Sequence, residues 1–262
     1  MSRLLEHKVA LITGAASGIG RETSVLFGEE GAKLALADVD DKGCEETARL
    51  VCERGGEALA VHCDVSDPRA VETLISAAVE RFGCLDCAFN NAGVGGASEP
   101  VADYDLEAWD HVLAVNLTGV FLSMQAELRQ MVSQGAGAIV NAASVVGVIA
   151  YPYLAAYNAA KHGVIGLTRT AAIEYAGHGV RVNAVCPGWI ETPMVMEGGR
   201  APASIPEVYA AIAGLAPMKR LGMPIEVARA VAWLCSDAAS FVTGHPLVVD
   251  GGVAAGRERA EE

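Results

Sequence analysis

The chain has 262 residues, of which 52% are hydrophobic and 19% charged, a composition that excludes an intrinsically disordered protein. Its 19 basic and 32 acidic side chains give a net charge of −13, which disfavours binding to nucleic acids and to anionic membranes. Seven cysteines form no even set for disulfide pairing and are typical of buried thiols in a reducing compartment. We therefore predict a cytoplasmic protein with neither nucleic-acid nor membrane partners.

Short apolar segments alternate with helical patterns along the whole chain. The predicted strands are Val9–Ile12, Lys33–Asp38, Ala58–Asp64, Cys87–Asn90, Ile139–Ala143, Val180–Val185 and Leu247–Val249. The predicted helices lie near residues 18–30, 42–54, 68–82, 106–133, 154–176 and 224–236. Strands that alternate with helices pair in parallel through right-handed crossovers. We therefore predict an α/β fold, a single doubly wound, Rossmann-like parallel sheet of about seven strands with helices on both faces.

Residues 1–253 are predicted to form one Rossmann-like catalytic domain. Residues 191–217 interrupt the alternation between the sixth strand and the last helix, and they contain several prolines and a Gly-Gly pair. A long irregular segment after a strand is typical of a lid over a binding site. We predict that this segment is a substrate lid and that residues 254–262 are a flexible tail.

A glycine-rich loop, Thr13-Gly14-Ala15-Ala16-Ser17-Gly18-Ile19-Gly20, joins the first strand to the first helix. Glycines let the backbone approach a pyrophosphate, which the amide groups at a helix N-terminus favour. No Lys-Ser/Thr pair follows, so the loop is not that of a nucleoside triphosphatase. The alternative is a glycine-rich turn without a ligand.

An acidic residue ends the second predicted strand. Asp38 lies twenty residues after Gly18, where a carboxylate accepts hydrogen bonds from the adenosine ribose of a dinucleotide. A carboxylate at this position repels the additional phosphate of NADP. Asp38 therefore favours NAD as cofactor, and the alternative is an acidic side chain that only faces solvent.

Two side chains four residues apart indicate acid–base chemistry. Tyr157 and Lys161 lie in an alanine-rich helical segment, where this spacing places both on one face. A phenol ionises at a pH of about 10, and a nearby ammonium group stabilises the phenolate. Ser144 follows a predicted strand, at the edge where open α/β sheets bind ligands. The spacing also occurs in ordinary helix pairs, so the Tyr157–Lys161 pair is informative only together with Ser144.

From residue 8 to about residue 252, the sequence resembles the short-chain dehydrogenases/reductases. The resemblance rests on motifs in the order of that family: Thr13–Gly20, Asn90-Asn91-Ala92-Gly93, Asn116, Ser144, Tyr157-Asn158-Ala159-Ala160-Lys161 and Pro187-Gly188. It implies a catalytic set of Asn116, Ser144, Tyr157 and Lys161. In that set Tyr157 is the general acid or base, Ser144 holds the substrate oxygen, Lys161 binds the nicotinamide ribose, and Asn116 helps to hold a water near Lys161.

The resemblance also assigns binding residues. Those implied for NAD are Gly14, Ser17, Gly18, Ile19, Gly20, Asp38, Asp64, Val65, Asn91, Ala92, Gly93, Tyr157, Lys161, Pro187, Gly188, Ile190 and Thr192. Those predicted to contact the substrate are Ser144, Val146, Tyr151, Tyr157, Trp189 and Met194. No metal is predicted, because the pair Cys84 and Cys87 lacks the further ligands of a zinc site.

The sequence therefore predicts an NAD-dependent oxidoreductase that interconverts a secondary alcohol and a ketone. The apolar character of the candidate pocket favours a small cyclic or hydrophobic substrate, such as a steroid. Two alternatives remain open: a reductase similar to the 3-oxoacyl-carrier-protein reductases, and a dinucleotide-sensing protein without catalytic activity. The family resemblance further implies a homotetramer assembled through helices 106–133 and 154–176.

Overall fold

The computed structural model describes residues 3–198 and 203–256, and a seven-stranded sheet forms its centre. All strand pairs are parallel, in the order β3-β2-β1-β4-β5-β6-β7. The strands are β1 (Val9–Thr13), β2 (Lys33–Asp38), β3 (Glu57–His62), β4 (Cys87–Asn90), β5 (Gly137–Ala142), β6 (Val180–Pro187) and β7 (Pro246–Val249). Every predicted strand is present, and β6 is longer than predicted because its last residues pair with β7.

Nine α-helices lie in the described ranges. They are α1 (Gly18–Glu29), α2 (Asp41–Glu53), α3 (Pro68–Phe82), α4 (Leu106–Leu113), α5 (Gly119–Gln134), α6 (Ala155–Tyr175), α7 (Pro193–Met196), α8 (Pro206–Leu215) and α9 (Pro224–Cys235). Aspartates accept hydrogen bonds from first-turn amides where α2, α3 and α4 begin. Glycines in the left-handed conformation end α3 and α5.

The sheet has an apolar core on each face, because successive side chains of a strand point to opposite sides. In β1, Ile12 packs into one core with buried residues of α1, α2 and α9. Its neighbour Leu11 packs into the other core with residues of α3, α5 and α6. Both side chains are fully buried. Helices on both faces of a parallel sheet confirm the predicted doubly wound, Rossmann-like fold.

The predicted helix 106–133 is interrupted in its first half. Residues Ala114–Thr118 form a π-helical turn between α4 and α5. Asn116 lies within this turn, is fully buried, and binds the backbone of Val94 through both atoms of its amide group. Widened turns of this kind are frequent at functional sites. The sequence pattern detects the helix but not this interruption.

Residues 191–217 are less irregular than predicted, because prolines begin both α7 and α8 and are compatible with the first position of a helix. Residues 199–202 of the predicted lid lie outside the described residues. The predicted tail begins inside a short helical turn, Val253–Ala255. Asp250 stabilises this turn by accepting hydrogen bonds from the amides of Gly252 and Ala254. Residues 257–262 of that tail also lie outside the described residues.

The order of the strands reverses between β1 and β4. Connections from β1 lead towards β2 and β3, whereas those from β4 lead towards β5, β6 and β7. The loops after β1 and β4 therefore separate at the carboxyl edge of the sheet and leave a crevice, which is where open α/β sheets bind ligands. None of the helices in the described ranges is long and apolar enough to cross a membrane.

Candidate active site

The glycine-rich loop after β1 is held against the end of β4. The Asn91 side chain donates hydrogen bonds to the carbonyl oxygens of Thr13 and Gly14, both at 3.1 Å. Gly14 has a positive φ of 66°, and a Cβ atom there would lie 2.8 Å from Asn91 Nδ2. At Gly20 a Cβ would lie 2.0 Å from the carbonyl oxygen of Gly14. Larger residues therefore do not fit at these two positions.

The first turn of α1 faces the crevice without a side-chain cap. Ser17 is the N-cap residue, but its exposed side chain makes no capping hydrogen bond. A Cβ atom at Gly18 would lie 3.2 Å from Thr192, so the loop after β6 forms the opposite wall. Uncapped amides at the positive end of a helix dipole are suited to a phosphate group. The residues present therefore fit the pyrophosphate of a dinucleotide.

Asp38 lies at the end of β2, beside this loop. Its carboxylate accepts hydrogen bonds from the backbone amides of Ala16 at 2.9 Å and Asp40 at 3.0 Å. Asp41 begins α2 next to Asp40 and bonds to His62. The rim of the crevice at this end therefore carries three acidic side chains, those of Asp38, Asp40 and Asp41. Their negative charge is unfavourable for the additional phosphate of NADP.

Tyr157 and Lys161 lie on α6, as predicted. Lys161 is buried, and its ammonium group donates to the carbonyl oxygen of Ala142 at 2.8 Å. Burial lowers the pKa of Lys161 to about 8. The ammonium nitrogen lies 5.5 Å from the centre of the Tyr157 ring.

The expected lowering of the phenol pKa by this ammonium group is not found in the protein as described. Burial raises the pKa of Tyr157 above its ordinary value of 10, and a hydrogen bond with Ser144 opposes this increase in part. Lys161 directs its hydrogen bond to the backbone of β5 and not to the phenol.

Ser144 follows β5 and lies between two parts of the site. Its hydroxyl group accepts a hydrogen bond from the Val146 amide at 3.3 Å and approaches the Pro187 carbonyl oxygen at 3.5 Å. Asn116 reaches the same region: a Cβ atom at Gly93 would lie 3.0 Å from Asn116 Oδ1 and 3.7 Å from Lys161 Nζ. The Asn116 side chain binds Val94 through its amide oxygen and its amide nitrogen, so it fixes the segment after β4 beside Lys161.

Two of the predicted binding residues direct their side chains into the cores. Val65 packs against Gly119 of α5, and Ile190 belongs to the core on the α9 face. Only their backbones are therefore available to a cofactor. Asp64, the neighbour of Val65, is exposed, and hydrogen bonds from Ser66 lower the pKa of its carboxyl group. Around the crevice, the loop after β1 contacts Asn91, Ala92 and Thr192. Gly93 lies beside Asn116 and Lys161, the Pro187 carbonyl beside Ser144, and Gly188 against Asp250.

Aromatic and apolar side chains lie on the substrate side. The rings of Tyr151 and Trp189 meet edge to face with their centres 5.5 Å apart. Met194 of α7 lies across the mouth from Gly95, with its Cγ 3.9 Å from the position of a Cβ on that glycine. Val146 is buried, whereas Met194 is exposed.

Three residues that shape the site were not singled out from the sequence. Thr13 accepts hydrogen bonds from the amides of Asn91 and Ala92. Arg21 binds Thr47 and the carbonyl oxygens of Ala16 and Gly43, so it joins the loop to α2. Asn158 accepts from the Tyr151 amide at 3.2 Å and donates to the Tyr151 carbonyl at 2.7 Å. Thr13 and Asn158 lie inside the family motifs Thr13–Gly20 and Tyr157–Lys161, so their positions in the sequence already indicated a role near the site.

No metal-ligand cluster accompanies the site. In the part of the chain that the structure describes, no three His, Cys, Asp or Glu side chains are placed to hold a metal ion. Cys84 and Cys87 are both free thiols whose pKa values are raised, Cys84 by burial and Cys87 mainly by its contact with Cys235.

Comparisons with known proteins agree with this geometry. A family model described as "Enoyl-(Acyl carrier protein) reductase" matches residues 14–254. Cyclohexanol dehydrogenase of Acinetobacter sp. (strain SE19) is 42% identical over 96% of both chains. Cis-4-hydroxycyclohexanecarboxylate dehydrogenase of Sinomonas cyclohexanicum is 44% identical over 97% of this chain and all of that protein. A solved structure of NAD⁺-bound xylitol dehydrogenase is 38% identical, covers 95% of this chain and 99% of its own, and has a TM-score of 0.89.

The buried ammonium group of Lys161 is expected to make stability depend on pH. Its pKa is about 8 in the folded chain and about 10.4 in an unfolded one. The unfolded chain therefore binds the additional proton between these values, and wild-type stability rises with pH across that window, by about 3 kcal/mol in total. Lys161→Met should lack this increase.

Urea unfolding at pH 7 and pH 10.5 measures this difference. The exposed Lys42 provides a matched control, because Lys42→Met should retain the wild-type pH dependence. If the difference in unfolding free energy between wild type and Lys161→Met is the same at both pH values, the pKa of Lys161 is not lowered in the folded chain.

Proposed function

The chain belongs to the short-chain dehydrogenase/reductase family, and we propose that it is an NAD-dependent dehydrogenase that interconverts cyclic or other hydrophobic secondary alcohols and their ketones. One observation carries the proposal. Ser144, Tyr157 and Lys161 meet at the carboxyl edge of the sheet, with Ser144 hydrogen-bonded to Tyr157 and the ammonium group of Lys161 buried beneath the tyrosine ring. This set provides an anchor for the substrate oxygen and a group that exchanges its proton.

In the proposed reaction the Ser144 hydroxyl group holds the substrate oxygen. In alcohol oxidation Tyr157 would act as the phenolate and accept the substrate hydroxyl proton at its phenolic oxygen, and in ketone reduction the neutral phenol would donate that proton to the substrate oxygen. Lys161 would hold the hydroxyls of the nicotinamide ribose, and its charge would increase in influence once the site is closed to water. Bound NAD would supply the acceptor for the hydride of the substrate carbon.

The remaining residues would bind and orient the dinucleotide. The loop from Gly14 to Gly20 would approach the pyrophosphate, and Asp38 would accept from the adenosine ribose. Asp64 and the Val65 backbone would contact the adenine, and Asn91 to Gly93 would line the adenosine side. Residues 187–192 would contact the nicotinamide through the backbone and Thr192. The preference for NAD is supported by Asp38, Asp40 and Asp41, and by the NAD⁺-bound relative of known structure.

The substrate class is proposed from the walls of the site. Val146, Tyr151, Trp189 and Met194 are apolar or aromatic, and Ser144 and Tyr157 are the polar anchors among the predicted contacts. A pocket of this kind favours a hydrophobic ring that carries one reacting oxygen. Two relatives with more than 40% identity are named as dehydrogenases of cyclohexane derivatives. We propose that one catalytic domain ending near residue 253 carries both binding regions.

We also propose a cytoplasmic homotetramer. Seven free cysteines are consistent with a reducing compartment. A groove between α5 and α6 is lined largely by apolar and small residues, including Leu117, Phe121, Gly166 and Leu167. Phe121 and Ile173, which belong to these two helices, are exposed in the isolated chain. A second copy of this chain would bury this face.

Tyr157→Phe is expected to reduce turnover by about 10²–10⁴-fold, because it removes the proton-exchanging hydroxyl group. Initial rates of NADH formation with cyclohexanol and related alcohols measure this loss. NADH binding, followed by fluorescence titration, should be retained, since the ring and Lys161 remain. Wild-type binding of NADH without turnover of any alcohol would instead support a dinucleotide-sensing protein.

Asp38→Asn is expected to shift cofactor use towards NADP. The substitution keeps the shape and an acceptor oxygen but removes a charge that would meet the additional phosphate, so kcat/KM with NADP should rise by about a hundredfold. Glu80→Gln is the control, because Glu80 is an exposed acidic side chain near the end of α3, away from the glycine-rich loop. A wild-type enzyme that already prefers NADP would refute the role of Asp38.

Asn158→Ala is expected to raise KM for a cyclic alcohol by about tenfold while changing kcat less. It removes two hydrogen bonds to Tyr151, each contributing about 1 kcal/mol, and so loosens the aromatic wall. The dissociation constant of NADH should not change. Ala159→Ser, at the exposed neighbouring position, is the control, and an unchanged KM in Asn158→Ala would contradict this account.

A further inference from the structure

A buried carboxyl group lies beneath the proposed active site and takes no part in the proposed reaction. Glu127 is on the inner face of α5 and is fully buried. One of its oxygens, Oε2, accepts a hydrogen bond from the side-chain amide of Asn90 at 2.9 Å. Burial raises the pKa of its carboxyl group to about 8, and the bond from Asn90 opposes this only in part. No cation contributes to its pKa.

Glu127 is the first member of a chain of polar side chains that crosses the molecule. Asn90 of β4 also donates to Asn141 Oδ1 on β5 at 3.0 Å. Asn141 in turn donates to the Thr168 hydroxyl group of α6 at 3.0 Å. Thr168 donates to the Val164 carbonyl, so the chain ends on the helix that carries Tyr157 and Lys161. All four polar side chains are buried.

Two oxygens in this chain of polar side chains have no hydrogen-bond partner. Among the described residues, Asn90 Oδ1 and Glu127 Oε1 are buried and make no hydrogen bond. Both nitrogen-bound hydrogens of Asn90 are already used, one on Glu127 and one on Asn141. An unpartnered oxygen at this depth is destabilising, because it has lost its hydrogen bonds to water and gained none in the protein. Two carbonyl-type oxygens cannot bond to each other unless one of them carries a proton.

We propose that Glu127 is a protonated carboxylic acid whose Oε1 hydroxyl donates to Asn90 Oδ1, closing a two-bond acid–amide ring that positions the floor of the active site. The ring gives each of the two unpartnered oxygens a partner, and it leaves no charge in a core that has no counter-ion. It keeps Asn90 in the single orientation that also serves Asn141.

The ring is placed to act on the site through the strands. Asn90 precedes Asn91, which holds the glycine-rich loop through Thr13 and Gly14. Asn141 precedes Ala142, whose carbonyl oxygen accepts the bond from Lys161. Glu127 is therefore a positioning residue. This role rests on the proposed function, whereas the protonation state of Glu127 does not.

Charged groups on the neighbouring elements do not offer a counter-ion. On α3, the residues Arg69, Glu72, Glu80 and Arg81 are exposed, as are Arg129 of α5 and Arg169 and Glu174 of α6. Lys161 of α6 is buried but bonds to Ala142, and Arg181 of β6 bonds to backbone carbonyls of residues 234–236 and 242. The thiols on β4 and β6, Cys87 and Cys186, have raised pKa values and are neutral.

Glu127→Gln is the informative variant, because a glutamine amide can donate to Asn90 Oδ1 and accept from Asn90 Nδ2 without a proton that titrates. The folded wild type holds one more proton than the unfolded chain between the ordinary pKa of glutamate, about 4.3, and the raised value. Wild-type stability should therefore fall as pH rises through that window. Relative to Glu127→Gln, the folding constant should fall about tenfold per pH unit.

Urea unfolding of the full chain from pH 5 to pH 9 measures the ratio of the wild-type folding constant to that of Glu127→Gln. Glu80→Gln, an exposed glutamate on α3, should follow the wild type at every pH. Infrared difference spectroscopy at pH 6 gives a second readout: a protonated-carboxyl C=O band that is absent from Glu127→Gln and present in Glu80→Gln. A ratio that does not change with pH, or no such band, would overturn the proposed protonation.

The positioning role has a separate readout. Glu127→Gln should retain kcat with a cyclic alcohol and the wild-type affinity for NADH. Glu127→Leu removes both partners that Glu127 would give the Asn90 amide and leaves only the bond to Asn141, so it should lower kcat at least tenfold. If Glu127→Leu folds and keeps full kcat, the positioning role is wrong even when Glu127 is protonated. If the wild type turns over no alcohol, the proposed function fails, while the unfolding and infrared results still decide the protonation state.

Discussion

The contact between the Lys161 ammonium group and the Ala142 carbonyl oxygen connects the fold to the candidate chemistry. It joins α6 to the end of β5 and holds a cation in a buried position, where its pKa is about 8. An ammonium group is buried only where fixed dipoles replace its water. The parallel sheet supplies them, because the carboxyl ends of its strands present carbonyl oxygens at one edge. Lys161 can therefore lie under the Tyr157 ring, with its ammonium nitrogen 5.5 Å from the ring centre.

Burial affects the three titratable groups near the site in different directions. It lowers the pKa of Lys161 and raises those of Tyr157 and Glu127, since it disfavours whichever form is charged. The site is therefore less ionised than the residue types alone indicate. A bound cofactor would exclude more water from the site and so strengthen the electrostatic interaction between the Lys161 ammonium group and the Tyr157 phenol. With Glu127 protonated as proposed, the core beneath the site carries no charge.

Both walls of the crevice depend on polar side chains that bind the backbone of a neighbouring segment. Asn91 holds the glycine-rich loop, Asn116 holds Val94, and Asn158 holds Tyr151. An amide side chain can donate and accept at once, so it fixes both the position and the direction of a loop. Loops that carry a site on an α/β sheet have few apolar contacts of their own, and these amides take the place of such contacts.

The sequence by itself determined the order of the strands and helices, the doubly wound fold, and the family motifs around Gly14, Tyr157 and Pro187. These features are local, because hydrophobic periodicity and glycine or proline positions are set within a dozen residues. Only the tertiary structure decided the interruption at Asn116, the inward orientation of Val65 and Ile190, and the hydrogen bond between Asn90 and the buried Glu127. Each depends on residues distant in the chain that meet across strands and helices, and their burial sets the protonation states that periodicity cannot show.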